Sequence, residues 1–127
     1  MSAIGYVCLG TSDFDRACAF YDAFAAELGG KKLFPTPQGV MYRLGAGPMI
    51  MVTRPYNKES SAPGNGNMLA INVDAQEDVP RIYDKALSLG ATCEGKPGPR
   101  AGFGDFAYFR DLDGNKLAVF WSERGKK

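Results

Sequence analysis

The chain contains no histidine. That absence removes Ser-His-Asp and Cys-His nucleophile pairs, and it removes the imidazole on which many catalytic metal sites depend. Cysteine is scarce as well. Cys8, Cys18 and Cys93 are odd in number and show no CxxC spacing, so a secreted disulfide framework is not expected. Charge of one sign is not in excess, with 15 basic residues against 14 acidic ones and a formal net charge of +1. No nucleic-acid partner and no membrane surface follow from that balance, and the Lys31-Lys32 pair and the Lys126-Lys127 tail read as solvated charge. No apolar run approaches the ~18 residues of a membrane span, and no N-terminal stretch reads as a signal peptide. A reducing cytoplasm is the expected location.

What is present is an ordinary globular composition, 45% apolar and 23% charged over 127 residues. That is enough chain for one domain, or for two small modules, with a hydrophobic core. Ile4 to Gly10 read as a strand. Ser12 or Asp13 then offers an N-cap oxygen, and Ala17, Phe20, Tyr21, Phe24 and Leu28 recur at helical spacing until Gly29-Gly30 stops the helix. From Lys31 to Thr53 the pattern changes to short strands punctuated by Pro35, Pro37, Gly39 and the Gly45-Ala46-Gly47-Pro48 stretch, a hairpin rather than a phosphate loop.

Residues 57 to 66, rich in serine, glycine and asparagine, read as a linker. The same order of elements then begins again. Met68 to Val73 read as a strand, with Asp74 as the cap of a helix whose stripe is Val79, Ile82, Tyr83, Ala86 and Leu89, stopped by Gly90. Pro80 falls in its first turn, where it is tolerated. Strands around Phe106–Arg110 and Lys116–Trp121 flank Asp111-Leu112-Asp113-Gly114-Asn115. That segment fits a tight turn, and its glycine and acid spacing does not fit a calcium loop. Tyr21-Asp22 and Tyr83-Asp84 lie 62 residues apart, and the same offset superposes Tyr6 on Met68. The chain thus divides into module 1 at about 3–56, the linker at about 57–66, and module 2 at about 67–123, each reading strand, helix, three strands.

Val7-Cys8-Leu9 before Ser12-Asp13-Phe14-Asp15-Arg16, Phe20-Tyr21-Asp22, Ala86 to Ala91, and above all Tyr108-Phe109-Arg110-Asp111-Leu112-Asp113-Gly114-Asn115-Lys116-Leu117 carry a family likeness. With them the sequence resembles the vicinal-oxygen-chelate superfamily, which includes glyoxalase I, extradiol dioxygenases, fosfomycin-resistance enzymes and bleomycin-resistance proteins. Leu112 stands where the family usually has proline. The resemblance implies an α+β fold of two tandem βαβββ modules whose mixed sheets curl into a cup, with helices packed outside and ligands in the concavity. It also implies a homodimer.

Metal-dependent members place a histidine where this chain has Tyr6, and a second one where it has Met68, or Asn67 if the alignment slips by one. A glutamate is implied where Ala118 stands, and the fourth-strand position falls near Ile50. Neither a thioether nor an aliphatic side chain is a conventional ligand for a catalytic divalent metal, and an unperturbed phenol ionises only near pH 10. No metal and no cofactor are therefore expected.

Strand alternation puts Ile4, Tyr6 and Cys8 on one face, Met68, Ala70 and Asn72 on another, and Ala118 with Phe120 on a third. If Arg110 pairs with Lys116, Phe106 and Tyr108 face the same way. Pro97 to Gly104 read as a glycine-rich loop, either a plain connection or a lid that brings Arg100 to an anion and Phe103 to a ring. The candidate ligand-binding residues are then Tyr6, Met68, Asn72, Arg100, Phe103, Phe106, Tyr108, Ala118 and Phe120. Cys8 and Cys18 read as inert core.

The leading expectation is metal-independent binding of a small molecule, similar to the bleomycin-resistance proteins that sequester a drug. Such a drug is cationic and would call for an acidic crevice, which a near-neutral chain does not announce. The alternatives are a glyoxalase-like lyase, isomerase or dioxygenase using an unorthodox metal site or an acid/base pair at Tyr6, and a structural or regulatory dimer with no ligand.

Overall fold

A computed structural model describes residues 1–100 and 102–123. The Lys126-Lys127 tail lies outside the described residues. The chain forms two compact units, one from Met1 to Pro63 and one from Gly64 onward. The boundary falls inside the segment read as a linker.

The first unit runs β1 (Tyr6–Gly10), α1 (Phe14–Glu27), β2 (Lys31–Pro35), β3 (Gly39–Arg43) and β4 (Met49–Thr53). Its sheet has the order β1-β4-β3-β2, with β1 parallel to β4 and the remaining pairs antiparallel. Asp13, rather than Ser12, caps α1 by accepting the amide of Arg16 at 3.1 Å, while Thr11 Oγ1 accepts the amide of Asp13 at 3.0 Å. At the far end Gly30 donates to the Ala25 carbonyl at 2.8 Å and Gly29 to Ala26 at 3.1 Å. This double closure needs a left-handed residue, and Gly29 supplies it with φ of 80°. The buried face of the helix is Ala17, Phe20, Tyr21, Phe24 and Ala25. It packs on Val40, Tyr42, Ile50 and Val52 of the sheet's inner face, each at most 5% exposed. Tyr42 is locked there by its hydroxyl, which donates to Asp22 at 2.6 Å and to the Cys18 carbonyl at 3.3 Å.

The second unit repeats the plan with β5 (Leu69–Asn72), α2 (Asp78–Ser88), β6 (Thr92–Arg100), β7 (Gly104–Arg110) and β8 (Lys116–Trp121), in the sheet order β5-β8-β7-β6. The fold is α+β, two tandem βαβββ modules, as the repeat implies. Its second helix ends as the first does: Ala91 bonds to Ala86 and Gly90 to Leu87, both at 3.0 Å.

Two readings of this half are corrected. Asp74 does not cap α2. The N-cap is Glu77, which makes no side-chain cap bond, and Asp78 reaches back to accept the Ala75 amide at 3.2 Å. The Pro97–Gly104 loop is largely strand: Gly98, Pro99 and Arg100 pair with Phe106, Asp105 and Gly104, which leaves a tight turn closed by Phe103 N donating to Arg100 O at 2.9 Å. A nine-residue β6 rather than a lid joins α2 to β7.

The longer strands also explain why one offset cannot superpose the halves. An offset of 62 residues carries Val7 onto Leu69, but carrying Ile50 onto Leu117 takes 67. The Asp111 turn is as expected. Its carboxylate is consumed by the amides of Asp113 and Asn115 and the Asn115 side chain, all at 2.9 Å. Among the described residues no helix is long and apolar enough to cross a membrane.

Candidate functional site

Each sheet has one face under its helix and one face turned away from it. In β1 the alternation puts Leu9 on the helix side, while Tyr6 and Cys8 are exposed. In β4 Ile50 and Val52 are buried, and Met49, Met51 and Thr53 point the other way. Cross-strand register then lines up Cys8, Met51 and Met41 as neighbours on the open face. Cys8 is therefore not inert core, and the reading of it as such is corrected. The fourth-strand position also moves by one. Ile50 is 3% exposed on the helix side, and Met51 is the residue that faces the concavity.

A cavity of about 710 Å³ opens on this face of the first unit. Its floor is Cys8 and Met51, and Gly10 and Thr53 extend it toward the strand ends. Two chain segments wall it. The first is the β2–β3 turn, where Thr36 N donates to Gly39 O at 2.9 Å and brings Thr36 and Gln38 to the cavity. The second is Arg54 to Ala62, most of it read as linker, which folds back so that Ser61 N donates to Ser12 Oγ at 2.6 Å. Gly10 permits this return, since a Cβ there would come within 2.7 Å of Ser61 Oγ.

The polar groups of the cavity are not equivalent. Thr53 Oγ1 donates to the Arg54 carbonyl at 2.9 Å, and Asn57 Oδ1 accepts the amide of Glu59 at 3.0 Å. Thr36 Oγ1 is buried without a hydrogen-bond partner. A hydroxyl in that state carries its desolvation cost uncompensated, and such atoms recur where a ligand or water completes the set. Among the described residues Arg54 is the one charged lining residue. Its guanidinium lies 4.3 Å from the centre of the Phe14 ring. The volume, the largely apolar lining and the few polar points match the usual build of a small-molecule site.

None of the nine residues singled out in the sequence lines this cavity. Tyr6 shares its open face, two residues before Cys8, and is 52% exposed. Within the first unit no carboxylate bonds to it. The other eight lie in the second unit. Register brings Asn72, Phe120 and Phe106 side by side, and likewise Ala118 and Tyr108, with Arg110 opposite Lys116. Phe106 stacks on Phe120 at 4.9 Å and on Tyr108 at 6.0 Å, forming an aromatic shelf. Arg100 and Lys116 sit 5.6 and 5.4 Å from the Tyr108 ring. Ala118 is fully buried between its neighbours. Met68, just before β5, and Phe103, at the β6–β7 turn, are exposed.

The metal that the family resemblance implies does not fit these residues. Tyr6, Met68, Ala118 and, with the shifted register, Met51 offer one phenol, two thioethers and a methyl group. Among the described residues no cluster of three or more His, Cys, Asp and Glu side chains could hold a metal ion.

A family model of the Glyoxalase/Bleomycin resistance protein/Dioxygenase superfamily matches residues 3–119. The solved structure of a glyoxalase/bleomycin resistance protein from Albidiferax ferrireducens T118 is similar at 28% identity and a TM-score of 0.83, covering 93% of this chain and 97% of that one. A glyoxalase-related enzyme from Fulvimarina pelagi follows at 21% identity and 0.79, covering 96% and 89%. The fosfomycin resistance protein FosX from Listeria monocytogenes, solved with manganese(II) and dihydroxypropylphosphonic acid, shares the fold at 18% identity and 0.75, covering 96% and 93%. No curated protein matches the chain.

Proposed function

The chain belongs to the Glyoxalase/Bleomycin resistance protein/Dioxygenase superfamily, and from that premise we propose that it is a metal-independent small-molecule binding protein. The observation that carries the reading is the 710 Å³ cavity on the open face of the first module, floored by Cys8 and Met51. The metal positions carried over from the resemblance support it, because their donors suit contact with an organic ligand better than coordination of a divalent cation. In this reading the ligand is held rather than transformed, in a cytoplasmic protein that pairs with a second copy of itself.

Thermal denaturation with a library of aromatic, anionic and cationic compounds tests the reading. A ligand at a hundredfold excess over its Kd stabilises the folded chain by about 2.7 kcal/mol. If no compound raises the melting temperature, and a crystal structure shows the cavity filled by the protein's own side chains, the reading fails.

A second reading, an enzyme of the same superfamily, draws on the Tyr6 phenol beside Cys8 on the open face and on the manganese in FosX. Metal analysis of protein purified without a histidine tag separates the two. A stoichiometric divalent metal that disappears with Tyr6→Phe favours the enzyme.

A further inference from the structure

The charges around the cavity narrow the class of ligand. We propose that the first module's cavity takes an amphipathic organic anion, an apolar body ending in a carboxylate or equivalent oxyanion that Arg54 holds. This rests on the binding reading above and adds the ligand's chemistry to it.

Among the described residues Arg54 is the only charged one lining the cavity, and no Asp, Glu or Lys lines it. Arg54 pairs with no carboxylate among the described residues, whereas Arg16 and Lys32 each have an acidic partner within 4.0 Å. Its one side-chain hydrogen bond is a long one, 3.5 Å from Nη1 to the Gln38 carbonyl. The guanidinium is nonetheless held in place by the Phe14 ring. A guanidinium receives an oxyanion with two parallel hydrogen bonds, and contact with the ring leaves it charged and able to donate them.

The rest of the cavity sets the other end of the ligand. Cys8 and Met51 present soft, polarisable surface, and a thioether adapts to rings of different shape. A cationic ligand would meet Arg54 with no carboxylate to offset it, so the drug class of the bleomycin-resistance proteins is disfavoured here.

The test uses two fluorescent compounds with one apolar body. 8-Anilinonaphthalene-1-sulfonate carries an anion, and N-phenyl-1-naphthylamine is the same body without it. Both are titrated into the full chain carrying Cys18→Ser and Cys93→Ser, so that N-ethylmaleimide alkylates Cys8 alone. The sulfonate is expected to bind more tightly than the neutral compound and to slow alkylation of Cys8. Arg54→Gln is expected to weaken the sulfonate about tenfold and to leave the neutral compound within about twofold. Arg54→Lys keeps the charge and is expected to recover part of the loss. If the neutral compound binds and protects Cys8 while Arg54→Gln affects both compounds equally or neither, the anion inference is overturned and the cavity reading stands. If neither compound protects Cys8, the cavity reading itself is overturned.

Discussion

Replacing Thr36 with valine exchanges a buried hydroxyl for a methyl group of nearly the same shape. Thr36 Oγ1 has no hydrogen-bond partner, so nothing is lost with it except its desolvation cost. An unsatisfied buried polar group costs about 1–3 kcal/mol. Taking the low end of that range, Thr36→Val stabilises the free protein by about 1 kcal/mol. For cooperative unfolding of a chain of this length that is ~3–4 °C in melting temperature. Ligand binding should be unchanged, because Oγ1 is closed off from the cavity and has no contact to lose. The assay is a pair of melting curves, without ligand and with saturating 8-anilinonaphthalene-1-sulfonate. The variant should melt higher when free and gain as much from the ligand as the parent protein. A variant that melts lower when free would show that the hydroxyl serves the fold, and the reasoning would be refuted.

Other outcomes follow from the same geometry. Gly104 has φ of 145°, and a Cβ there would overlap the Trp121 carbonyl. Gly104→Ala should therefore cost about 2 kcal/mol or more, read by urea denaturation. Tyr42→Phe removes the hydroxyl bonded to Asp22 and the Cys18 carbonyl and should cost about 1–2 kcal/mol. Stability should fall as pH rises above 10. Burial and the hydrogen bond to Asp22 raise the Tyr42 phenol above its ordinary value of 10.0, and a hydrogen bond to the Cys93 side chain with burial pushes Tyr83 up to about 12. The folded state keeps protons that the unfolded chain releases, so this stabilisation is complete below pH 10 and is lost on going above it. A flat alkaline denaturation profile would contradict it. Timed alkylation of the folded protein should modify Cys8 and Cys93, both exposed, ahead of Cys18.

The fold was legible because its signals are local and repeated. The Phe20, Tyr21 and Phe24 stripe, the Gly29 and Gly90 stops and the Asp111 turn each have a short-range cause, and each appears where that cause puts it. The aromatic shelf was legible for a similar reason, since Arg110 opposite Lys116 fixes which side chains of the hairpin share a face. The cavity was not legible. Its walls are the β2–β3 turn and Arg54–Ala62, and a run of serine, proline and asparagine looks the same whether it is a loose tether or folded against a sheet. The Ser61–Ser12 bond and the close approach at Gly10 distinguish the two, and both are tertiary. Cys8 was misplaced because alternation says which residues share a face without saying which face the helix covers. Pro97–Arg100 was read as loop from its Pro and Gly, but the irregular pairing of β6, with register shifts at Gly95 and Gly98, accommodates them in a strand.

The central claim is that the first module's cavity binds an organic ligand without a metal. The most direct measurement is the protection of Cys8 by 8-anilinonaphthalene-1-sulfonate, followed once in the presence of EDTA and once with manganese(II) added. The account predicts the same Kd, within about twofold, and the same protection in both. Binding that vanishes in EDTA, returns with manganese(II) and is abolished by Tyr6→Phe would contradict it.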